Sequence, residues 1–344
     1  MARIRAEGAV SVKPVISLRT ETYARHSLHS PDRVWTETNC SLDVWIEVIH
    51  SLGLDPTPAA VCALSADFIG DQWRFLKFPI EDLRRLYGLH VEEFNVWRPL
   101  GRHVEEHLAA GRLVAVEADA FFLPDTAGTA YRRTHTKSTI VPNAVDIAGR
   151  RLAYFHGTGY WELSGADCDA VLQGGAVDSR WMLPPYAEVV TLDRLVRRDA
   201  DLTTCAQHLA REHIGRRPAD NPVVRLARRV EADAQWLARQ GIATFHQYAF
   251  GSLRQCGATA ELAASALTWL ADRGAGRLSP AAAAFAAAAA AAKSAQFKLA
   301  RAGRRGTRDV HGVLDAVAEA WAEGTAHMAV WSRHPAEERA DVTG

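Results

Sequence analysis

The chain contains 344 residues, which is long enough to bury a large core and indicates about two domains. Hydrophobic residues make up 48% of the chain and charged residues 23%, an ordinary composition for a globular protein. Its 40 basic and 40 acidic side chains cancel, so the net charge does not indicate that the chain as a whole binds nucleic acid or an anionic membrane.

The cysteines are odd in number and no C-x-x-C spacing occurs, so the sequence indicates neither a zinc site nor a disulfide framework. Unpaired thiols favour a cytoplasmic protein. No apolar signal-peptide core follows Met1, and the longest apolar tract, Ala281–Ala292, is too short and too weakly hydrophobic to span a bilayer. We therefore expect a cytoplasmic protein that uses no metal or other cofactor. The cysteines are Cys40, Cys62, Cys168, Cys205 and Cys256.

The first half of the chain reads as a mixture of helices and strands. After a leader, residues 1–34, the segment Trp35–Trp45 changes from an extended to a helical pattern, with Thr38 and Asn39 as N-cap residues and Gly53 at the end of the helix. An antiparallel meander follows two further helices. Strands are predicted at Ala9–Ile16, Ala59–Leu64, Val91–Trp97, Arg112–Asp119, Thr136–Val141, Leu152–His156 and Gly159–Leu163, a hairpin at Phe68–Phe78 around Gly70-Asp71, and helices at Ile80–Tyr87 and Pro99–Ala110.

The second half is mostly helical. One more strand is predicted at Ala187–Leu192, and beyond it apolar residues recur at helical spacing. We predict an α+β fold with a mixed domain over 1–195, a helical domain over 196–334 and a frayed tail over 335–344. The helices are predicted at Thr203–Ile214, Asn221–Gln240, Thr244–Arg254, Thr259–Arg273, Pro280–Ala302 and Asp309–Trp331.

Cys40 is the first candidate for chemistry. It falls in the first turn of its helix, where unpaired N–H groups and the helix dipole stabilise a thiolate. Papain-like enzymes place their nucleophile in this way. The alternative is that Cys40 is a small buried hydrophobic residue, the commoner state of a cysteine.

His135 begins a strand downstream of Cys40, which is the order of cysteine and histidine in a papain-like sheet. The imidazole would act as general base, and a third side chain would fix its tautomer. His156 ends the next strand, where an Asn or Asp is expected. Asp119, which ends the preceding strand, and Asp146, in the following turn, are the alternatives, and we favour Asp119 because an acid that closes a buried strand needs a partner.

Several residues near these positions are candidates for substrate binding. Asn39 would help backbone N–H groups to hold an oxyanion, and Glu37 would bind a substrate amine. Asp125 and Tyr131 lie in the loop between Asp119 and His135 and would flank the site. Trp73, in the hairpin, would form a pocket wall, although core packing explains it equally well.

A basic segment near the end of the alanine-rich helix is the candidate donor site. Lys293, Phe297 and Arg301 recur on one face, with Lys298 beside them and Arg304 beyond. Favourable interaction with the helix dipole explains part of this charge. The excess suits a phosphate-bearing partner, either an acyl carrier protein or a tRNA.

Five segments together resemble a bacterial family of proteins of unknown function. That family is distantly similar, over about residues 35–165, to the N-terminal domain of the butirosin-pathway acyltransferase, a papain-like enzyme that moves an aminoacyl group from a carrier protein to an amine. The resemblance implies that Cys40 and His135 are the catalytic pair. The family also resembles the aminoacyl-tRNA-dependent transferases of azoxy natural-product pathways. The segments are Glu37–Cys40, Gly70–Trp73, Val116–Asp125, Tyr131–Lys137 and Tyr154–His156.

The sequence therefore predicts a papain-like, cysteine-dependent acyltransferase. Its catalytic domain would be residues 1–195, and the helical domain, residues 196–334, would dock the donor and shape the acceptor pocket. The enzyme would move an aminoacyl group from a carrier-protein thioester or an aminoacyl-tRNA to a small amine, hydroxylamine or hydroxyl acceptor. A thioesterase or amidase of the same fold is the alternative among enzymes, because only the exclusion of water separates the two. A binding module with an inert, buried Cys40 is the alternative of another class.

Overall fold

The computed structural model of the chain describes residues 12–173, 184–196, 200–305 and 310–334. The strands are β1 (Phe68–Ile69), β2 (Gln72–Trp73), β3 (His90–Glu93), β4 (Leu113–Asp119), β5 (Lys137–Asp146), β6 (Arg151–His156), β7 (Gly159–Ser164) and β8 (Ala187–Thr191). The helices are α1 (Cys40–Ser51), α2 (Ile80–Tyr87), α3 (Leu100–Ala109), α4 (Ala166–Val171), α5 (Ala200–Arg216), α6 (Pro222–Leu237), α7 (Ile242–Ala249), α8 (Gln255–Ala271), α9 (Ser279–Arg305) and α10 (Asp315–Arg333). The α+β class and the mostly helical second half are confirmed.

The chain forms two compact units. The first consists of Met1–Ser30, Asn39–Pro56 and Pro79–Arg198, and the second of Pro31–Thr38, Thr57–Phe78 and Asp199–Gly344. The longest segment of the second unit begins close to the predicted boundary at residue 195. The unit also contains two segments from the first half of the sequence. The predicted tail, 335–344, and the first part of the predicted strand Ala9–Ile16 lie outside the described residues.

The first unit is built on a six-stranded antiparallel sheet with the order β3-β8-β4-β5-β6-β7. The predicted meander β4–β7 is confirmed. The insertion of β8 between β3 and β4 was not predicted, because it pairs strands that are far apart in the sequence. Helix α1 packs on β5 and β6, and its Leu42, Ile46 and Ile49 side chains are fully buried. Burial of side chains of this size contributes roughly 1.5–3 kcal/mol each.

Alternation along β5 defines two faces of this sheet. Thr139 lies opposite Glu117, and Lys137 lies opposite Asp119, so these side chains share one face, the front face. Ser138 is one residue away in sequence and points to the other face, the back face. Ile140 also points to the back face, and it lies opposite His156. A shift of one residue therefore decides which side of the sheet a side chain reaches.

In the described residues of the second unit, the hairpin β1–β2 is the only β-structure, and the other regular elements are helices. The turn of this hairpin at Gly70-Asp71 was predicted, and Gly70 has φ +67°. The predicted strand Ala59–Leu64 is wrong, because Thr57–Ser65 is a 3₁₀ helix. Its small apolar side chains pack between α5 and α8, and a short buried run of this kind has no periodicity that separates helix from strand.

Two helices that we predicted separately form one continuous run. A π-helical turn, Phe250–Arg254, joins α7 directly to α8. Gly257 lies inside the helix and allows close packing with Trp35. A Cβ atom at position 257 would lie 2.4 Å from the Trp35 indole. None of the helices in the described parts of the chain is both long enough and apolar enough to cross a membrane.

Candidate active site

Cys40 is the first residue of α1, as predicted. Asn39 caps the helix, and its Oδ1 accepts hydrogen bonds from the amides of Ser41 at 3.1 Å and Leu42 at 3.0 Å. The cysteine is half-buried, and its Sγ lies 3.8 Å from Thr139 Oγ1 on the front face of the sheet. The cap and the contact with Thr139 thus fix the thiol at the N-terminal end of α1.

His135 contacts Asp119. Its Nδ1 lies 2.5 Å from Asp119 Oδ2, while Asp119 Oδ1 accepts hydrogen bonds from the amides of Phe121 at 3.0 Å and Thr136 at 3.2 Å. The imidazole stacks on the Phe121 ring at a centroid separation of 4.3 Å and an angle of 12°. A carboxylate on Nδ1 holds the proton there and leaves the Nε2 lone pair able to accept a proton. The His135 side chain is 71% exposed, so substrate and solvent can reach it.

The front face carries both Thr139, which contacts the Cys40 thiol, and Asp119, which contacts His135. Thr139, the neighbour of the thiol, lies opposite Glu117, and Asp119 is two residues further along the same strand on the same face. Diagonal neighbours of this kind in an antiparallel sheet are roughly 7–8 Å apart. Thr139, which contacts the thiol, and Asp119, which contacts His135, thus share the front face on adjacent strands.

The other two candidates for the third residue lie elsewhere. His156 points to the back face, where its Nε2 is 2.6 Å from Ser138 Oγ and its Nδ1 hydrogen-bonds to Asp125. Asp146 accepts hydrogen bonds from the Gly149 amide and from Arg151, which together lower the pKa of its carboxyl group. Of the three candidates, Asp119 is the one that contacts His135.

The predicted substrate-binding residues are divided between the two units. Asn39 is the helix cap. Asp125 and Tyr131 are engaged within the first unit, with Tyr154 and His156 and with Asp167 respectively. Glu37 belongs to the second unit and pairs with Arg254 at 3.1 Å. Trp73 is buried in that unit, with its ring 5.1 Å from the Trp321 ring, so core packing accounts for it.

The predicted donor residues lie on α9 in the second unit. The Lys293 ammonium sits 4.1 Å from the centroid of the Trp35 ring, and burial together with the nearby Arg254 lowers the pKa of this lysine. Lys298 and Arg301 are exposed, and Phe297 beside them is 61% exposed. The side chain of Arg304 lies outside the described residues.

Two features of the first unit were missed in the sequence. Thr139 was not singled out because its role depends on strand register. A buried ionic cluster on α1 joins His29 to Asp43 and Glu47. The signal for this cluster was present, because two acids four residues apart lie within the apolar pattern of α1 and need a cationic partner. Within residues 12–173, 184–196, 200–305 and 310–334, no group of three or more His, Cys, Asp and Glu side chains is placed to hold a metal ion.

Two family models match the chain. The model of the DUF1839 N-terminal domain matches residues 24–192, and the model of the DUF1839 C-terminal domain matches residues 199–330. A search of curated proteins found no match. The two matched stretches together span most of the chain and meet close to residue 195.

Proposed function

The chain belongs to the DUF1839 family, whose function is unknown, and we propose that it is a cysteine-dependent acyltransferase that moves an aminoacyl group to a small amine, hydroxylamine or hydroxyl acceptor. The observation that supports this most directly is the arrangement on the front face of the sheet. The cysteine at the capped helix start contacts Thr139, and Asp119, which contacts His135, lies on the same face as Thr139. A thiol, an imidazole and an acid that orients the imidazole are the groups that nucleophilic acyl transfer uses.

In the proposed reaction the Cys40 thiolate attacks the acyl carbonyl carbon of the donor. The new C–S bond replaces the bond from that carbon to the sulfur or oxygen of the donor, and the donor leaves with the proton that His135 had taken from the thiol. The acceptor then attacks the thioester, His135 takes the proton of the acceptor, and the thiol is restored. Asp119 stabilises the imidazolium in both steps, and the Cys40 amide at the helix start binds the oxyanion.

Acidic side chains on the same face favour an amine as the acceptor. Glu117 lies opposite Thr139 and pairs with Lys137 of the same face at 2.8 Å, and Glu93 and Glu188 lie opposite each other on neighbouring strands. The pKa of Tyr186 is raised well above its ordinary value, first by burial and then by these three carboxylates. A protonated amine is drawn toward such a surface, whereas a carboxylate substrate is repelled.

For the donor we propose a carrier-protein thioester or an aminoacyl-tRNA. Support comes from the exposed Lys298, Phe297 and Arg301 on α9, since cations beside an exposed aromatic ring suit a phosphate-bearing arm. None of the five cysteines, all of which lie in the described residues, forms a disulfide, and this favours a cytoplasmic setting for such a reaction.

Intact-mass analysis with aminoacyl N-acetylcysteamine thioesters tests the nucleophile. We expect the wild-type protein to gain one acyl group and Cys40→Ala to gain none. Cys205→Ser is the matched control, because Cys205 is also only half-buried, and it should be acylated like the wild type. Iodoacetamide should modify Cys40 before Cys205. Equal labelling of the two cysteines, with no adduct, would show that Cys40 is inert and would favour a binding module.

A hydrolase is the second candidate, and the exposure of His135 favours it, because water can reach the general base. The two functions separate by product. A transferase should form amide faster than free acid when a small amine is added, and release of free acid at a rate unaffected by the amine would establish the hydrolase instead.

A further inference from the structure

The segment between Asp119 and His135 is a compact loop, residues 120–135, which we call the His135 loop. Its ends are joined by a hydrogen bond from the Ala120 amide to the Thr136 carbonyl oxygen at 2.8 Å. Inside it, Arg132 N donates to the Phe121 carbonyl at 3.1 Å, and Thr126 Oγ1 donates to the Ala120 carbonyl at 3.0 Å. The loop therefore behaves as one packed piece, as compact Ω-loops do.

The orientation of His135 depends on this loop. The groups that hold its ring are Asp119, which ends β4 where the loop begins, and the Phe121 and Phe122 rings within the loop. Arg132 has φ +55°, a left-handed conformation that a non-glycine residue rarely adopts, so the loop needs contacts outside itself to keep this shape. The imidazole can therefore keep a fixed orientation only if the loop is held against the rest of the first unit.

Asp125, near the middle of the loop, joins the loop to β6 through two hydrogen bonds. Its Oδ1 accepts a hydrogen bond from Tyr154 OH at 2.5 Å, and its Oδ2 accepts one from His156 Nδ1. Both partners are on β6, and the Asp125 and His156 side chains are buried. Burial and the charge of Asp125 raise the pKa of Tyr154 far above its ordinary value, so this phenol stays a donor. A second pair of hydrogen bonds joins Tyr131 and Arg132 to Asp167.

The same contacts have the outline of a Ser–His–Asp triad, because Ser138 Oγ lies 2.6 Å from His156 Nε2. Two observations argue against a second nucleophile. Ser138 and His156 are both buried, and they lie on the back face, whereas Thr139, which contacts the Cys40 thiol, lies on the front face. The bond to Ser138 stays within the sheet, from β5 to β6, whereas the bonds to Asp125 join the sheet to the loop.

We propose that Asp125, Tyr154 and His156 are positioning residues that fix the His135 loop and so orient the His135 imidazole toward the acyl group. This inference rests on the proposed function for its catalytic meaning. The hydrogen bonds to Asp125 hold the loop in place, and the hydrogen bond to Ser138 does not.

Paired substitutions at one position separate these bonds. In His156→Gln the side-chain amide reaches the position of Nε2, which keeps a partner for Ser138 and loses the bond to Asp125. In His156→Asn the amide occupies the position of Nδ1, which keeps Asp125 and loses Ser138. Asp125→Ala and Ser138→Ala are the corresponding changes at the other ends, and Tyr154→Phe removes one bond without changing shape.

Two readouts are measured on the full chain. The first is the NMR signal of His135 Hε1 in ¹³C-histidine-labelled protein, identified by its loss in His135→Gln. The Phe121 ring current should move this signal upfield in the wild type. Asp125→Ala and His156→Gln should return it toward the position of free histidine, Tyr154→Phe should do so in part, and His156→Asn and Ser138→Ala should leave it in place.

The second readout is the rate of Cys40 acylation by the thioester probe. We expect a loss of at least tenfold in kcat with little change in KM for Asp125→Ala and His156→Gln, and less than twofold for the two controls. If Asp125→Ala does not fold, the two His156 variants decide the question. The proposal is refuted if His156→Gln folds with an unmoved His135 signal, or if Ser138→Ala is as damaging as Asp125→Ala.

A fluorophosphonate adduct on Ser138 would also refute it, in favour of a serine nucleophile. Failure of the proposed function looks different. A wild-type protein that takes up no acyl group would refute the acyltransferase, while the His135 signal in the variants would still decide whether Asp125 holds the loop.

Discussion

The buried cluster on α1 predicts a pH-dependent stability of the first unit. His29 Nδ1 hydrogen-bonds to Glu47, and its Nε2 lies 3.4 Å from Asp43 Oδ1. Tyr23 OH donates to the other oxygen of Glu47. Burial alone lowers the pKa of His29, but its hydrogen bonds with Asp43 and Glu47 and the charges of these two acids outweigh burial and raise it to about 9. The cluster therefore contains a buried imidazolium between two acidic side chains.

The size of the effect follows from this pKa. A rise from 6.5 to about 9 is about 2.5 units, which corresponds to about 3 kcal/mol of free energy of unfolding. Because the folded-state pKa is above the unfolded one, the contribution is complete below pH 6.5. It is lost as the pH rises through about 9, when the folded protein releases the proton.

The perturbation is His29→Gln, and the assay is urea unfolding followed by circular dichroism between pH 6 and 10. At pH 6 the variant should be less stable by roughly 3–5 kcal/mol, because the acidic side chains lose their cation. This difference should shrink by about 3 kcal/mol toward pH 10. His311→Gln is the control, because His311 is exposed and pairs with Glu231 in the second unit. A difference between wild type and His29→Gln that stays constant over this range would refute the reasoning.

Two further predictions concern the candidate site. Asp119→Asn should lower the rate of Cys40 acylation on the order of 10³-fold, because the amide favours the wrong tautomer of His135. The control, Asp146→Asn, should change that rate less than twofold. Equal rates for Asp119→Asn and the wild type would contradict the assigned role. Asn39→Ala should reduce the free energy of unfolding by about 1 kcal/mol through loss of the α1 cap, and Asn39→Ser should recover most of it, as measured by urea unfolding.

Local signals made part of this site predictable. The cap at Asn39, the apolar spacing after it and the glycine at position 53 place Cys40 at a helix start without any tertiary information. The end of β4 at Asp119 follows from a strand pattern of the same local kind. In each case the residues that determine the conformation are within a few positions of the residue concerned.

The rest depends on register and packing. His156 was a candidate for the third residue because it ends β6, the strand that follows β5. Its pairing with Ile140, however, places its side chain on the back face of the sheet. Thr139 and Ser138 are adjacent in sequence and lie on opposite faces. No local pattern distinguishes them, because both are small and polar. The 3₁₀ helix at Thr57–Ser65 was missed for the related reason that packing between α5 and α8 decides its conformation.

The interleaving of the two units has a consequence for how the protein is made. The chain passes from one unit to the other five times, after residues 30, 38, 56, 78 and 198. Trp35 is buried against Gly257 and hydrogen-bonds to the Ala289 carbonyl, both more than two hundred residues downstream. During synthesis, Trp35 and the apolar segment Thr57–Ser65 emerge long before their partners exist. A fragment that ends near residue 195 would keep these surfaces uncovered, so we expect it to aggregate where the full chain does not.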